Sequence, residues 1–173
     1  MGRRWLLSGA DPFSLLGLPR RFRCTEEEIR KAQRTALSRL HPDRERTPVA
    51  REAALRASAE VNQAARVLLD PRQRAEWLIR NRAGAVEGAD AASTPGAAFL
   101  MEMLELRDEL SAAQERGDAA EIQAFTGRIE ASRDEVLERL AAALDGPGGE
   151  PGAALAELRF VLRLLEQARE GAS

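Results

Sequence analysis

The apolar residues of this chain recur at helical spacing, between clear helix start and stop signals. In "DPFSLLGLP" Asp11 is a capping residue, Pro12 suits the first helical position, and Gly17 with Pro19 supplies a stop, so the stretch predicts a short helix. The segment "TEEEIRKAQRTALSRL" opens with Thr25 and carries Glu28 three residues on, the reciprocal pattern of a capping box. Advancing about 100° per residue places Ile29, Ala32, Ala36, Leu37 and Leu40 on one face. Arg30, Lys31 and Arg34 then share a sector of roughly 100° on the opposite side, and Arg39 falls outside it. Thr47-Pro48 predicts the start of a third helix reaching about Leu69, and Asp70-Pro71 the start of a fourth in "PRQRAEWLIRNR".

Residues 82–94, "RAGAVEGADAAST", are small and rich in Gly and Ala, which suits a linker. Beyond it, Thr94-Pro95 predicts a helix to about Gly117, and Asp118 with Glu121 predicts another to about Leu144. "DGPGGEPG" at 145–152 breaks the pattern before a last helix over 153–170. No stretch alternates β-branched or aromatic residues, so no strand is expected. The expectation is an all-α chain: a small helical unit over 1–81, a linker over 82–94, and a three-helix bundle over 95–173.

The helix from Pro95 carries apolar residues on more than one side. Phe99, Met103, Leu106, Leu110 and Ala113 form a stripe within roughly 80°, the expected core. Leu100 and Leu104 lie roughly 90–130° from its centre, Met101 farther round, and Glu105 and Asp108 border them. In the last helix Leu155, Leu158, Leu162 and Leu165 make the core stripe, while Phe160 and Leu164 point well away from it. Two readings are open. The off-core residues pack against the first unit or a neighbouring helix, or they form an exposed apolar patch with an acidic rim, as partner surfaces do.

Composition narrows the partners and the chemistry. The chain is 44% hydrophobic and 31% charged, ordinary for a soluble globular protein. Its 26 basic residues are interspersed with 28 acidic ones for a net charge of −2, so neither nucleic acid nor an anionic membrane is an expected partner. A single cysteine, Cys24, excludes an intramolecular disulfide and any cysteine-cluster metal site. The N-terminal "RRWLLSGA" falls short of the roughly 7–15 apolar residues of a secretory signal. No run approaches the ~20 apolar residues of a membrane span, so a cytoplasmic protein is expected.

The one histidine, His41, stands directly before Pro42 and Asp43. Pro42 disfavours helical geometry at His41 and should end the second helix there, leaving imidazole and carboxylate on a loop tip beside Arg30, Lys31 and Arg34. Catalysis would need a positioned nucleophile or second ligand. The sequence has no G-x-S-x-G motif, metal-ligand cluster or phosphate loop to supply one. A recognition tip fits these residues better than a hydrolytic site, and no cofactor is expected.

The basic helix, the His41-Pro42-Asp43 loop and a helix containing "VNQAARVLLDP", flanked by "DPFSLLGLP" and "DPRQRAEWL", together resemble a J-domain. The resemblance implies an antiparallel pair formed by the second and third helices, with two short helices packed on it. It also implies that the loop and the basic face dock on a DnaK-class chaperone and stimulate its ATP hydrolysis. The matching residues are Arg30, Lys31, Arg34, His41, Pro42 and Asp43, with Arg44 where many members have lysine and Ala65 where many have an aromatic residue. Further on, "AAFLMEMLELRDEL" and "ELRFVLRL" resemble the HscB family, the J-proteins of iron–sulfur cluster assembly, over most of residues 11–170. That resemblance implies a bundle that binds an IscU-type scaffold protein and presents it to a DnaK- or HscA-class chaperone, with no enzymatic chemistry of its own. The implied scaffold-binding positions are Leu100, Met101, Leu104, Glu105 and Phe160, with Asp108 beside them on the acidic rim and Ala112 where the family has a further acid. The zinc-binding cysteine pairs of some members have no counterpart in this sequence. A J-protein serving a different client is the alternative.

Overall fold

Side-chain caps set most of the helix boundaries in the computed structural model, which describes residues 11–40, 47–82, 94–147 and 149–170. The helices are α1 Pro12–Leu16, α2 Glu26–Arg39, α3 Pro48–Leu69, α4 Pro71–Arg80, α5 Ala97–Arg116, α6 Ala119–Asp145 and α7 Gly152–Glu170, and no strand occurs among the described residues. The Phe13 N–H donates to Asp11 Oδ1 at 3.0 Å, and Gly17, at φ 67°, ends α1 in a left-handed conformation that costs glycine little. The capping box of α2 is complete: Glu28 N–H donates to Thr25 Oγ1 at 3.1 Å, and Thr25 N–H to Glu28 Oε2 at 2.8 Å. Thr47, Asp70 and Asp118 accept from first-turn amides of α3, α4 and α6 in the same way. One start differs from expectation. Gly96, not Thr94, takes the extended cap conformation of α5, and its carbonyl accepts the first intrahelical bond from Leu100 at 3.0 Å. The expected linker lies outside the described residues except at its ends.

The chain divides into two compact units, residues 1–74 and 75–173. In the first, α1 and α2 pack against α3 around Phe13, Leu16, Ile29, Val61 and Leu68. Of the expected inner face of α2, Ile29 is fully buried, whereas Ala32, Ala36, Leu37 and Leu40 are half-buried. A polar contact crosses the pair as well, Gln33 Nε2 donating to Asn62 Oδ1 at 2.8 Å. Ala65 is buried in α3. Arg74 is buried too: its Nη1 donates to the carbonyls of Cys24 at 3.1 Å and Leu68 at 2.8 Å, and its guanidinium carbon lies 4.8 Å from the Phe22 ring centroid. A buried cation costs several kcal/mol unless such partners compensate it. Arg74 thereby ties the α1–α2 loop to the C-terminal end of α3.

In the second unit α5, α6 and α7 form the three-helix bundle. Met103, Leu106, Leu110 and Ala113 of α5 meet Ile122 and Ile129 of α6 and Val161, Leu164, Leu165 and Ala168 of α7. Two expectations for α7 are corrected. Leu164 was expected to point away from the core and is buried; Leu162 was expected in the core stripe and is only partly buried. The reason is that α7 packs on both α5 and α6, so its buried arc is wider than one stripe and centred elsewhere. That arc includes a carboxylate, Glu157, which meets Arg139 of α6 at 2.5 Å without the angles of a hydrogen bond. Arg159, on the exposed border of the arc, donates from Nε at 3.2 Å and Nη2 at 3.0 Å to Glu76 Oε1. Among the described residues no helix is long and apolar enough to cross a membrane.

The Asp11 cap titrates in a predictable sense. Partial burial raises its pKa, but hydrogen bonds from the Ser14 hydroxyl, the Arg20 guanidinium and the Phe13 amide outweigh this and hold it below the ordinary 3.8. A pKa lower in the folded than in the unfolded state stabilises above the unfolded value, and the gain is lost as pH falls through the folded value. The stability gap between wild type and Asp11→Asn, from urea melts, should therefore be constant well above the ordinary carboxylate value of 3.8 and shrink as pH falls through and below it. A gap independent of pH would contradict the assignment.

Candidate functional site

Two surfaces carry the residues singled out by the sequence. The first is the outer face of α2. Burial of Ile29 against the pair turns Arg30, Lys31 and Arg34 outward, and all three are exposed. They are not equivalent. Arg30 Nε donates to Glu26 Oε1 one turn earlier at 2.6 Å, so its charge is partly compensated. Lys31 and Arg34 make no ion pair among the described residues and add positive charge to this face. The helix ends at Leu40, whose N–H donates to the Leu37 carbonyl at 3.0 Å and whose φ and ψ of −104° and 19° leave the helical range. That ending agrees with a chain leaving the helix before Pro42. His41, Pro42, Asp43 and Arg44 themselves lie outside the described residues.

The second surface lies on α5 and the edge of α7. Because the seam of α5 is narrow, Met101 is 64% exposed and Leu104 47% exposed, large values for apolar side chains on one side of one helix. Leu100 is half-buried beside them, and Glu105 and Asp108 are exposed along the border. Phe160 corrects its expectation. It does not point away from the core but lies half-buried at its edge, its ring meeting Phe99 edge to face with centroids 6.4 Å apart and planes at 80°. Phe99 in turn is half-buried rather than fully interior, because it stands in the first turn of α5, where no earlier turn of helix covers it. The aromatic pair therefore forms a partly exposed corner between α5 and α7. Residue spacing does not single out Arg163, whose guanidinium carbon lies 5.8 Å from the Phe160 ring centroid. Its one signal is relative to Phe160: it stands three residues later, on the same side of a helix.

Among the described residues neither surface assembles an acid–base pair or a nucleophile. Among the described residues no cluster of His, Cys, Asp and Glu could hold a metal ion. The arrangement on α5 and α7 offers an apolar strip with charged borders, and that on α2 a cationic face. Both are suited to contact with other proteins.

A family model described as the DnaJ domain matches residues 11–77, and one described as the HSCB C-terminal oligomerisation domain matches residues 96–169. A co-chaperone protein HscB homolog from Pasteurella multocida is 32% identical over 158 residues, 90% of this chain and 92% of the relative. One from Azoarcus sp. is 34% identical over 158 residues, 89% of each chain. Among solved structures, the chaperone HscB from Vibrio cholerae aligns with a TM-score of 0.72 at 27% identity, over 93% of this chain and 96% of that one. The human co-chaperone protein HscB, at 20% identity and a TM-score of 0.69 over 94% of this chain and 85% of its own, shares the fold. The chain belongs to the HscB family of co-chaperones, with a J-domain followed by the family's C-terminal helical domain.

Proposed function

We propose that this J-protein works in iron–sulfur cluster assembly: its C-terminal bundle binds an IscU-type scaffold protein and its J-domain brings that scaffold to a DnaK- or HscA-class chaperone in the cytoplasm. The observation that carries the reading is the exposed Met101–Leu104 strip on a helix within the HscB-type domain. In this reading residues 1–81 act as the J-domain, 82–94 as the linker and 95–173 as the scaffold-binding domain. His41, Pro42, Asp43 and Arg44, with Arg30, Lys31 and Arg34, engage the chaperone and stimulate its ATPase. Leu100, Met101, Leu104 and Phe160 bury apolar surface against the scaffold, and Glu105 and Asp108 select basic groups on it. The protein performs no chemistry itself. It raises the rate at which another protein hydrolyses ATP.

The loop gives the first test. Wild type should accelerate single-turnover ATP hydrolysis by a DnaK-class chaperone, and His41→Gln should not, with unchanged helical circular dichroism and melting temperature. Arg30→Glu combined with Arg34→Glu should weaken docking, and wild-type docking should itself weaken as salt rises through the range where the Debye length falls below about 10 Å. Full stimulation by His41→Gln would rule out the loop as the recognition element.

The strip gives the second. Leu104→Ala should cost under about 1 kcal/mol of folding stability, yet remove about 2 kcal/mol or more of scaffold binding. Leu110→Ala, in the seam, should cost roughly 2–5 kcal/mol of stability. Urea melts and scaffold titrations of both variants separate the cases. Undiminished scaffold binding by Leu104→Ala would favour a different client for the same J-domain.

A further inference from the structure

The charges bordering the apolar strip are sorted by sign. On α5, Glu105 and Asp108 are exposed and make no ion pair among the described residues. Glu109, one turn after Glu105, pairs with Arg128 of α6 at 2.7 Å, which places the stripe of Glu105 toward α6, while Asp108 faces outward between Met101 and Leu104. Gln114, one heptad after Arg107, donates to the Gln167 carbonyl of α7 at 3.3 Å, which places the stripe of Arg107 toward α7. Across the strip from the acids, α7 presents Arg163 over the outer corner of Phe160.

Two arginines flank Phe160, and their surroundings differ. Arg159 is compensated by Glu76, as described above. Arg163 is exposed and makes no ion pair among the described residues. A guanidinium resting on an aromatic ring is oriented by that contact, which leaves its in-plane N–H groups directed outward, where they can meet a carboxylate. We infer that Arg163 is a specificity-determining residue of this surface: it makes the strip electrically polar across its width. The partner it fits presents an apolar group, a basic group toward α6 and a carboxylate toward α7. A partner rotated by half a turn would set like charges together at both borders, so the polarity fixes orientation as well as affinity. The inference rests on the reading that the strip holds the scaffold, and it adds the chemistry of the scaffold's contacting face.

The test uses the full chain and a purified IscU-type scaffold, titrated calorimetrically at low and moderate salt. Arg163→Gln should weaken binding about threefold to fivefold, and Arg163→Glu about tenfold or more, with unchanged circular dichroism. Arg169→Glu makes the same charge change on another side of α7 and should stay within about twofold of wild type. If Arg169→Glu weakens binding as much as Arg163→Glu, net charge rather than position is responsible and the inference fails. It fails alone if Arg163→Glu binds like wild type while Leu104→Ala does not. If Leu104→Ala also binds like wild type, the strip is not the scaffold surface and the proposed function falls with it. A change in the sedimentation of the chain alone on Arg163→Glu, without loss of scaffold affinity, would make a second copy the occupant and overturn the inference.

Discussion

Met103, Leu106, Leu110 and Ala113 stand three, four and three residues apart, and this narrow seam is all that α5 buries. A typical globular helix buries a stripe wider than about 100°; α5 follows the thinner spacing of a coiled-coil seam. The constraint decides what the rest of the helix can do. Bringing Met101 or Leu104 inward would require rotating α5, and the rotation would expose Met103 and Leu110, two of the most deeply buried side chains in the bundle. Exposing either would forfeit about 1.5–3 kcal/mol of transfer free energy. The outward position of the apolar strip therefore follows from the seam's register. The opposite case is α7, which contributes eight buried residues and holds the bundle together.

The J-domain unit solves a different problem with different forces. Its outer face on α2 depends on charge, which needs no burial and costs the fold little. Arg30 is drawn partly to Glu26, and Lys31 and Arg34 add positive charge. What must be rigid is the frame beneath, and a buried cation supplies part of it: Arg74 joins the α1–α2 loop to the end of α3 through two carbonyls and the Phe22 ring. An electrostatic face and an apolar strip respond differently to salt, so contacts made through the one can be told from contacts made through the other.

Helix starts with a side-chain cap were readable in the sequence because they are local; that of α5, capped by the backbone of Gly96, was not. The Thr25–Glu28 box, the Asp11 cap and the Thr47-Pro48 start each involve residues within one turn, and each occurs as expected. The seam of α5 was readable for the same reason, since one helical face meets one core. The side-chain layout of α7 was less so: a helix wheel has a single assumed centre, and a helix touching two neighbours violates that assumption. A single centre puts Leu164 outside and Leu162 inside, the reverse of their burial. The Phe99–Phe160 corner, the Gln33–Asn62 bond and the Arg74 contacts join residues 61, 29 and up to 52 positions apart, and no local pattern announces them. Arg163 carries no sequence signal of its own, because an arginine on a helix surface reads as solvated until the ring beneath it is seen.

In the proposed function the client-facing surface is the α5–α7 strip, separate from the cationic face of α2. Hydrogen–deuterium exchange of the full chain with and without the purified scaffold tests it most directly, since protection localises the contact without altering any residue. Slower exchange should appear in peptides covering residues 98–109 and 158–166 and be absent from those covering 26–40. Protection confined to 26–40, or absence of protection on α5 at saturating scaffold, would contradict it.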